Sequence, residues 1–140
     1  MPMKRSLVWW TLAWMAALAG WGGLAGATSA AERAERDAIQ VRAPAQASPS
    51  SVYDVTISGY ARRRARAYVF IDYTGCARSF EVERRRAGDE SDVYSVKKGD
   101  FAETSGWRSP TAGEDHACAY LLAPGSDTVL AAAHQTYRIR

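Results

Sequence analysis

The two cysteines constrain this chain most: Cys76 and Cys118 are the only ones in 140 residues. Cys118 lies in His116-Ala117-Cys118-Ala119-Tyr120-Leu121-Leu122, which alternates like a strand. Cys76 lies just past the strongest apolar run in the body of the chain, Ala67-Tyr68-Val69-Phe70-Ile71-Asp72-Tyr73. If they pair, they tie two distant parts of a small β-domain together. The loop closed would be about 43 residues, for which the chain-entropy model gives roughly 4 kcal/mol, a large share of a typical stability of about 5–15 kcal/mol. Whether two cysteines pair depends on the compartment, and the N-terminus speaks to that.

Lys4 and Arg5 precede a stretch from Ser6 to Ala31 that carries no charge. Leu7 to Ala19 is a compact apolar core, and Gly20, Gly22, Gly23 and Gly26 lead out of it into small residues. A basic start, an apolar core and a small-residue exit is the three-part form of a secretory signal peptide, here residues 1–30, with cleavage expected after Ala27 or Ala30. The rival reading is an uncleaved signal anchor: an N-terminal hydrophobic helix held in the inner membrane through residues 7–27, long enough to span a bilayer. Both readings place the rest of the chain outside the cytoplasm, secreted, periplasmic or on the cell envelope. No cysteine precedes Cys76, which excludes a lipid-modified N-terminal cysteine, and no Arg-Arg pair precedes the apolar core, which argues against a twin-arginine signal.

Residues 31–51 read as a linker. Ala31 to Ile39 holds good helix formers with almost no apolar face, and Pro44 and Pro49 bracket a polar, extended tether. The domain is expected over residues 52–140. Tyr53, Val55 and Ile57 alternate with Asp54, Thr56 and Ser58, the period of a half-buried strand, which Gly59 is expected to end. Ala67–Tyr73 is apolar on both faces and predicts a central strand. Cys76–Ala87 puts Cys76, Phe80, Glu83 and Ala87 on one helical face and predicts a short helix capped by Thr74 and stopped by Gly88. Asp92–Lys98, Phe101–Trp107, the Cys118 run and Thr128–Ile139 predict further strands, with Gly99-Asp100 as a turn. In the Cys118 strand His116, Cys118, Tyr120 and Leu122 share the inward face. In the last strand Val129, Ala131, Ala133, Tyr137 and Ile139 face in, and Leu130 and His134 face out. The class that follows is all-β, a sandwich of about six or seven strands with one short helix after the second.

In an exported chain, two cysteines read as a disulfide. The alternative is a metal site around His116 and Cys118, for which only His134 remains as a nitrogen donor, on the other side of its strand. No HExxH, GxSxG, GxxxxGK or CxxC motif is present, and Ser105, Ser109 and Thr111 have no base nearby in sequence. The expectation is therefore no catalytic residues, no metal and no cofactor, with a site assembled from distant residues in a secreted enzyme as the alternative. Asp72 reads as a strand-end cap and His116 as a structural hydrogen-bonding group.

Charge is segregated although the total is small. Formal net charge is +3, and Lys4 and Arg5 account for two of eighteen cations, leaving sixteen against fifteen acidic residues. That is not the excess of a nucleic-acid binder. Arg62, Arg63, Arg64 and Arg66 form one cluster and Arg84, Arg85 and Arg86 another. Brought to one end of the domain, they would present an arginine surface to an anionic envelope component or an acidic protein. A solvated face that aids solubility is the plain alternative.

Tyr68-Val69-Phe70-Ile71-Asp72 followed by Cys76, a charged helix-like stretch, and Ala117-Cys118-Ala119-Tyr120-Leu121 resemble small exported bacterial immunoglobulin-like proteins of uncharacterised function. The resemblance covers Val52 to Ile139. It implies a β-sandwich with one disulfide and no catalytic residues to carry over. Immunoglobulin-type sandwiches often place a tyrosine two residues before the second cysteine; His116 stands there. The function expected is a non-enzymatic binding or structural module, or a spacer domain if the N-terminal segment stays in the membrane.

Overall fold

The computed structural model describes residues 36–88 and 90–140. The signal peptide or anchor expected in residues 1–30 lies outside the described residues, and among those described no helix is long and apolar enough to cross a membrane. The described residues form eight strands and one helix: β1 (Ala38–Arg42), β2 (Gln46–Ala47), β3 (Val52–Ala61), β4 (Ala65–Asp72), α1 (Phe80–Ala87), β5 (Ser91–Val96), β6 (Gly99–Arg108), β7 (Gly113–Leu122) and β8 (Val129–Ile139).

The strands make two sheets, one in the order β1-β3-β6 and one in the order β2-β8-β7-β4-β5. All pairings are antiparallel except the short β2–β8 pair, which is parallel. The main core lies between the sheets. β1 and β3 give it Ile39, Val41, Val55 and Ile57, and β4, β7 and β8 give it Val69, Ala119, Leu121, Tyr137 and Ile139. The period-two pattern of β3 thus buries Tyr53, Val55 and Ile57 against the second sheet, as expected from the sequence.

Four expectations are corrected. Residues 38–42 and 46–47 are strands of the two sheets and not linker; β1 places only two apolar side chains, Ile39 and Val41, on its buried face, too few to signal a strand by composition. Gly59 does not end β3. It pairs with Ile39, and a Cβ there would stand 2.0 Å from the Ala38 carbonyl oxygen, so its missing side chain is what lets β1 lie alongside. Gly99 opens β6 rather than a turn. The helix is capped by Ser79, whose Oγ accepts from the Val82 N–H, and not by Thr74; Gly88 at φ 62° stops it.

The central strands β4 and β7 of the five-stranded sheet are buried on both faces, which explains why Ala67–Tyr73 is apolar on both sides. Behind it, away from the other sheet, α1 covers a second small core of Phe70, Phe80, Cys118, Tyr120 and Leu122, with Tyr68 alongside. The Phe80 ring meets Tyr68 at 4.7 Å, Phe70 at 5.9 Å and Tyr120 at 5.8 Å between centroids. Such aromatic pairs each contribute about 0.5–1.5 kcal/mol beyond area burial.

Cys118 therefore faces α1 and not the space between the sheets. Cys118 lies opposite His134 across the β7–β8 pair and His116 opposite Thr136, so these residues share the helix-side face. The expectation that His134 points away from Cys118 is thereby overturned. Period-two alternation assigns partners within a strand, but only the register relates the faces of two strands. A bulge between Leu121 and Leu122 sets Leu122 opposite Val129. In consequence Leu130 packs on the core while Val129 is exposed, the reverse of plain alternation.

Candidate functional site

Cys76 and Cys118 are joined in a disulfide, with Cα atoms 5.5 Å apart. The bond fixes the loop between β4 and α1 to the centre of β7. Its neighbour His116 bonds through Nδ1 to Thr136 Oγ1 at 3.0 Å, with Nε2 3.6 Å from Glu114 Oε1, a structural cross-strand role. Among the described residues no group of three or more His, Cys, Asp or Glu side chains is placed to hold a metal ion.

Two buried polar arrangements occupy the fold. The first is a chain of hydroxyls inside the main core. Ser109 Oγ donates to Asp115 Oδ2, so the Tyr53 hydroxyl donates to Ser109 Oγ (2.7 Å) and the Tyr137 hydroxyl to Tyr53 (2.7 Å). Burial, then the hydrogen bond to Tyr53, pushes the Tyr137 phenol well above its usual range. Ser109 and Asp115 are buried, so this serine–aspartate pair is part of the core.

The second lies beneath α1 and was not anticipated from the sequence. Asp72, at the end of β4, accepts on Oδ1 from the Thr74 N–H (2.6 Å) and the Thr74 hydroxyl (2.7 Å). Glu83, fully buried on the inner face of α1, accepts on Oε2 from the Ala77 N–H at 2.6 Å. The Tyr120 hydroxyl donates to the Ala77 carbonyl and lies 3.5 Å from Glu83 Oε2. Asp72 Oδ2 and Glu83 Oε1 are buried with no hydrogen-bond partner; the two side chains are neighbours, and a proton shared between the carboxyls would satisfy both. Burial, reinforced by the hydrogen bond and charge of Asp72 and opposed by the Ala77 N–H, lifts Glu83 to about 7. Burial would also raise Asp72, but the two Thr74 donors, the Glu83 proton and Arg86 outweigh it and hold Asp72 below its usual value. The helix face that Glu83 shares with Phe80 and Ala87 turns its carboxyl inward. Beside the pair a cleft of about 390 Å³ is lined by residues including Asp72, Tyr73, Thr74, Arg86 and Glu90.

The arginine clusters do not meet. Arg62, Arg63 and Arg64 are consecutive and exposed at the β3–β4 turn. Arg66, at the start of β4, donates to the Ser126 carbonyl (2.7 Å) and lies 3.5 Å from Asp127. Arg84, Arg85 and Arg86 end α1 near the other end of β4, where Arg86 donates to the Gly75 carbonyl at 3.2 Å and stands 3.8 Å from Asp72. Asp72 lies six residue steps along β4 from Arg66, roughly 20 Å. The expectation of one arginine-rich end fails because α1 runs back along β4 toward its C-terminal end.

Other cations join Arg62–Arg64 instead. The β3–β6 pairing ends at Ala61 opposite Gly99 and the β4–β5 pairing begins at Ala65 opposite Val96. The β5–β6 turn, with exposed Lys97 and Lys98, thus lies beside the β3–β4 turn. The same end receives exposed Arg36, because Asp37 Oδ1 accepts from the Arg62 N–H at 2.8 Å. Its acidic residues among those described are Asp37, bound to that backbone, Asp100, and Asp127 beside Arg66. Nothing in the spacing of Arg62–Arg64 and Lys97–Lys98 signals this meeting; it is a product of strand register.

No protein-family model matches this chain, and no curated protein does. Solved structures share its fold. The crystal structure of the CARDB domain of the PF1109 protein from Pyrococcus furiosus, in complex with di-metal ions, superposes with a TM-score of 0.50 at 10% identity, covering 74% of this chain and 87% of that one. The solution NMR structure of the same domain gives 0.50 at 9% identity over 74% and 93%. A superoxide reductase (neelaredoxin) from Ignicoccus hospitalis is more distant, with a TM-score of 0.46 at 11% identity over 74% and 80%. The likeness to the CARDB domain is one of fold, and it supports a β-sandwich domain.

Proposed function

We propose that this chain is an exported, non-enzymatic, immunoglobulin-like β-sandwich that serves as a binding module of the cell envelope or secreted fraction, and that its basic end takes an anionic partner. The observation that carries this reading is the exposure of three consecutive arginines, Arg62–Arg64, next to Lys97 and Lys98 at adjoining turns. Among the described residues no acidic side chain forms an ion pair with these arginines, and arginine suits phosphate, sulfate and carboxylate groups through its planar donor fork. Arg84–Arg86 are left out of this surface, since they sit with Asp72, Glu81 and Glu90 toward the other end.

The non-enzymatic part of the reading rests on how the buried groups are used. Ser109, Asp115 and Glu83 are enclosed, and Glu83 holds α1 to the loop before it. The di-metal ions named for the Pyrococcus domain are not carried over, for want of a ligand group among the described residues.

Retention of the chain on an immobilised soluble polyanion, dextran sulfate, tests the reading. Retention should fall steeply with salt and drop in the Arg62→Ala/Arg63→Ala/Arg64→Ala variant. Equal elution of wild type and variant at low salt would remove the basic end as the contact surface. N-terminal sequencing of the exported protein checks localisation and cleavage together.

A further inference from the structure

The chain enters the sandwich at its basic end. β1 begins at Ala38, opposite Tyr60 near the tip of β3, and Asp37 is bonded to Arg62 in the turn itself. The apolar segment 7–27 is therefore connected to the domain at the cationic turns. Ten residues, 28–37, separate that segment from β1, and fully extended they reach at most about 36 Å. The far end of the sandwich lies a further strand length away, roughly 30 Å for the ten residues of β3. That far end carries exposed Glu90 and Glu114 beside Arg84–Arg86, and the buried Asp72.

We propose that the basic end is the membrane-facing end of the domain, and that Arg62, Arg63, Arg64, Lys97 and Lys98 rest on anionic phospholipid headgroups beside the point where residues 7–27 enter the bilayer. This deepens the functional reading above by naming the anion, and it rests on that reading. The cations sit on neighbouring turn tips and not in a groove, so they meet a flat anionic surface together. None of the large exposed apolar side chains lies on these two turns, which suits adsorption at headgroup level and not insertion. The tether holds the domain within about 36 Å of the surface, and headgroup attraction to the cationic turns sets the orientation, since the far end would offer Arg84–Arg86 only together with Glu81, Glu90 and Glu114. Two weak attachments acting together, one apolar and one polybasic, are the usual route to stable membrane apposition.

The lysines make the contact readable. Lys4, Lys97 and Lys98 are the only lysines of the chain, so amine acylation at residues 97 and 98 reports the surface directly. The full chain is reconstituted in phosphatidylcholine discs and in discs that also contain phosphatidylglycerol. Acylation of Lys97 and Lys98 should be several-fold slower in the anionic discs, recover at high salt, and recover in the Arg62→Ala/Arg63→Ala/Arg64→Ala variant, but stay slow in Arg84→Ala/Arg85→Ala. Equal rates in both discs would overturn the membrane assignment. A parallel arm adds dextran sulfate to the chain in neutral discs. Protection by the polyanion without protection by lipid would leave the anionic-partner reading standing and remove the membrane; protection by neither would remove both.

Discussion

Asp72, at the end of β4, and Glu83, on the buried face of α1, lie side by side beneath the helix, each with one buried carboxyl oxygen that has no hydrogen-bond partner. The pair, with the Cys76–Cys118 bond beside it, holds the only described helix to the sheet. Its protonation therefore enters the stability of that whole layer.

The pH dependence has a definite sign. Glu83 rises from 4.5 in the unfolded chain to about 7 in the fold. Its contribution is fully present below 4.5 and is lost as pH rises through about 7, on the order of 2–3 kcal/mol. Asp72 acts oppositely, and its contribution is lost only as pH falls below its unfolded value of 3.8. Urea midpoints should peak on the acid side of neutrality. Glu83→Gln keeps a donor toward Asp72 without a charge, so it should flatten the decline above pH 5 and exceed wild type at pH 8. A wild-type midpoint that rises from pH 5 to 8 would contradict the shared proton.

The disulfide spans 42 positions. Its removal by Cys76→Ala/Cys118→Ala should cost about 3–4 kcal/mol by the loop-entropy model, to which the loss of packing at fully buried Cys118 adds. Denaturation of the oxidised and reduced wild type separates the two contributions, because reduction keeps most of the side-chain volume.

Along the hydroxyl chain, Tyr53 touches both Ser109 and Tyr137, whereas Tyr137 stands at its end. Tyr53→Phe should cost about 1–3 kcal/mol and Tyr137→Phe nearer 1 kcal/mol, because the first leaves two buried partners unpaired and the second removes a single donor. Equal losses in chemical denaturation would mean that the chain does not run as drawn.

At Gly59 the expectation is steric. An alanine Cβ would collide with the Ala38 carbonyl, so Gly59→Ala should displace β1 at a cost of about 1–3 kcal/mol or more. Amide exchange should quicken in β1 and in the facing residues of β3 while β7 and β8 stay protected. Unchanged protection of β1 would show that the backbone yields without loss.

The sequence by itself determined six of the eight strands, the short helix with Phe80, Glu83 and Ala87 on one face, and the two cysteines as a pair. Each of these is written in local periodicity or in residue type, and short-range sterics and burial read such signals directly. Only the tertiary structure decided the rest. β1 and β2 carry too little apolar surface to announce themselves and exist by pairing with β3 and β8. Cys118 and His134 share a face because register sets it. The Asp72–Glu83 pair joins a strand end to a helix eleven residues later, and Lys97–Lys98 come to Arg62–Arg64 through two separate strand pairings. Contacts of that kind depend on strand register and on where the segments between the partners fold back, and no local periodicity relates the two residues.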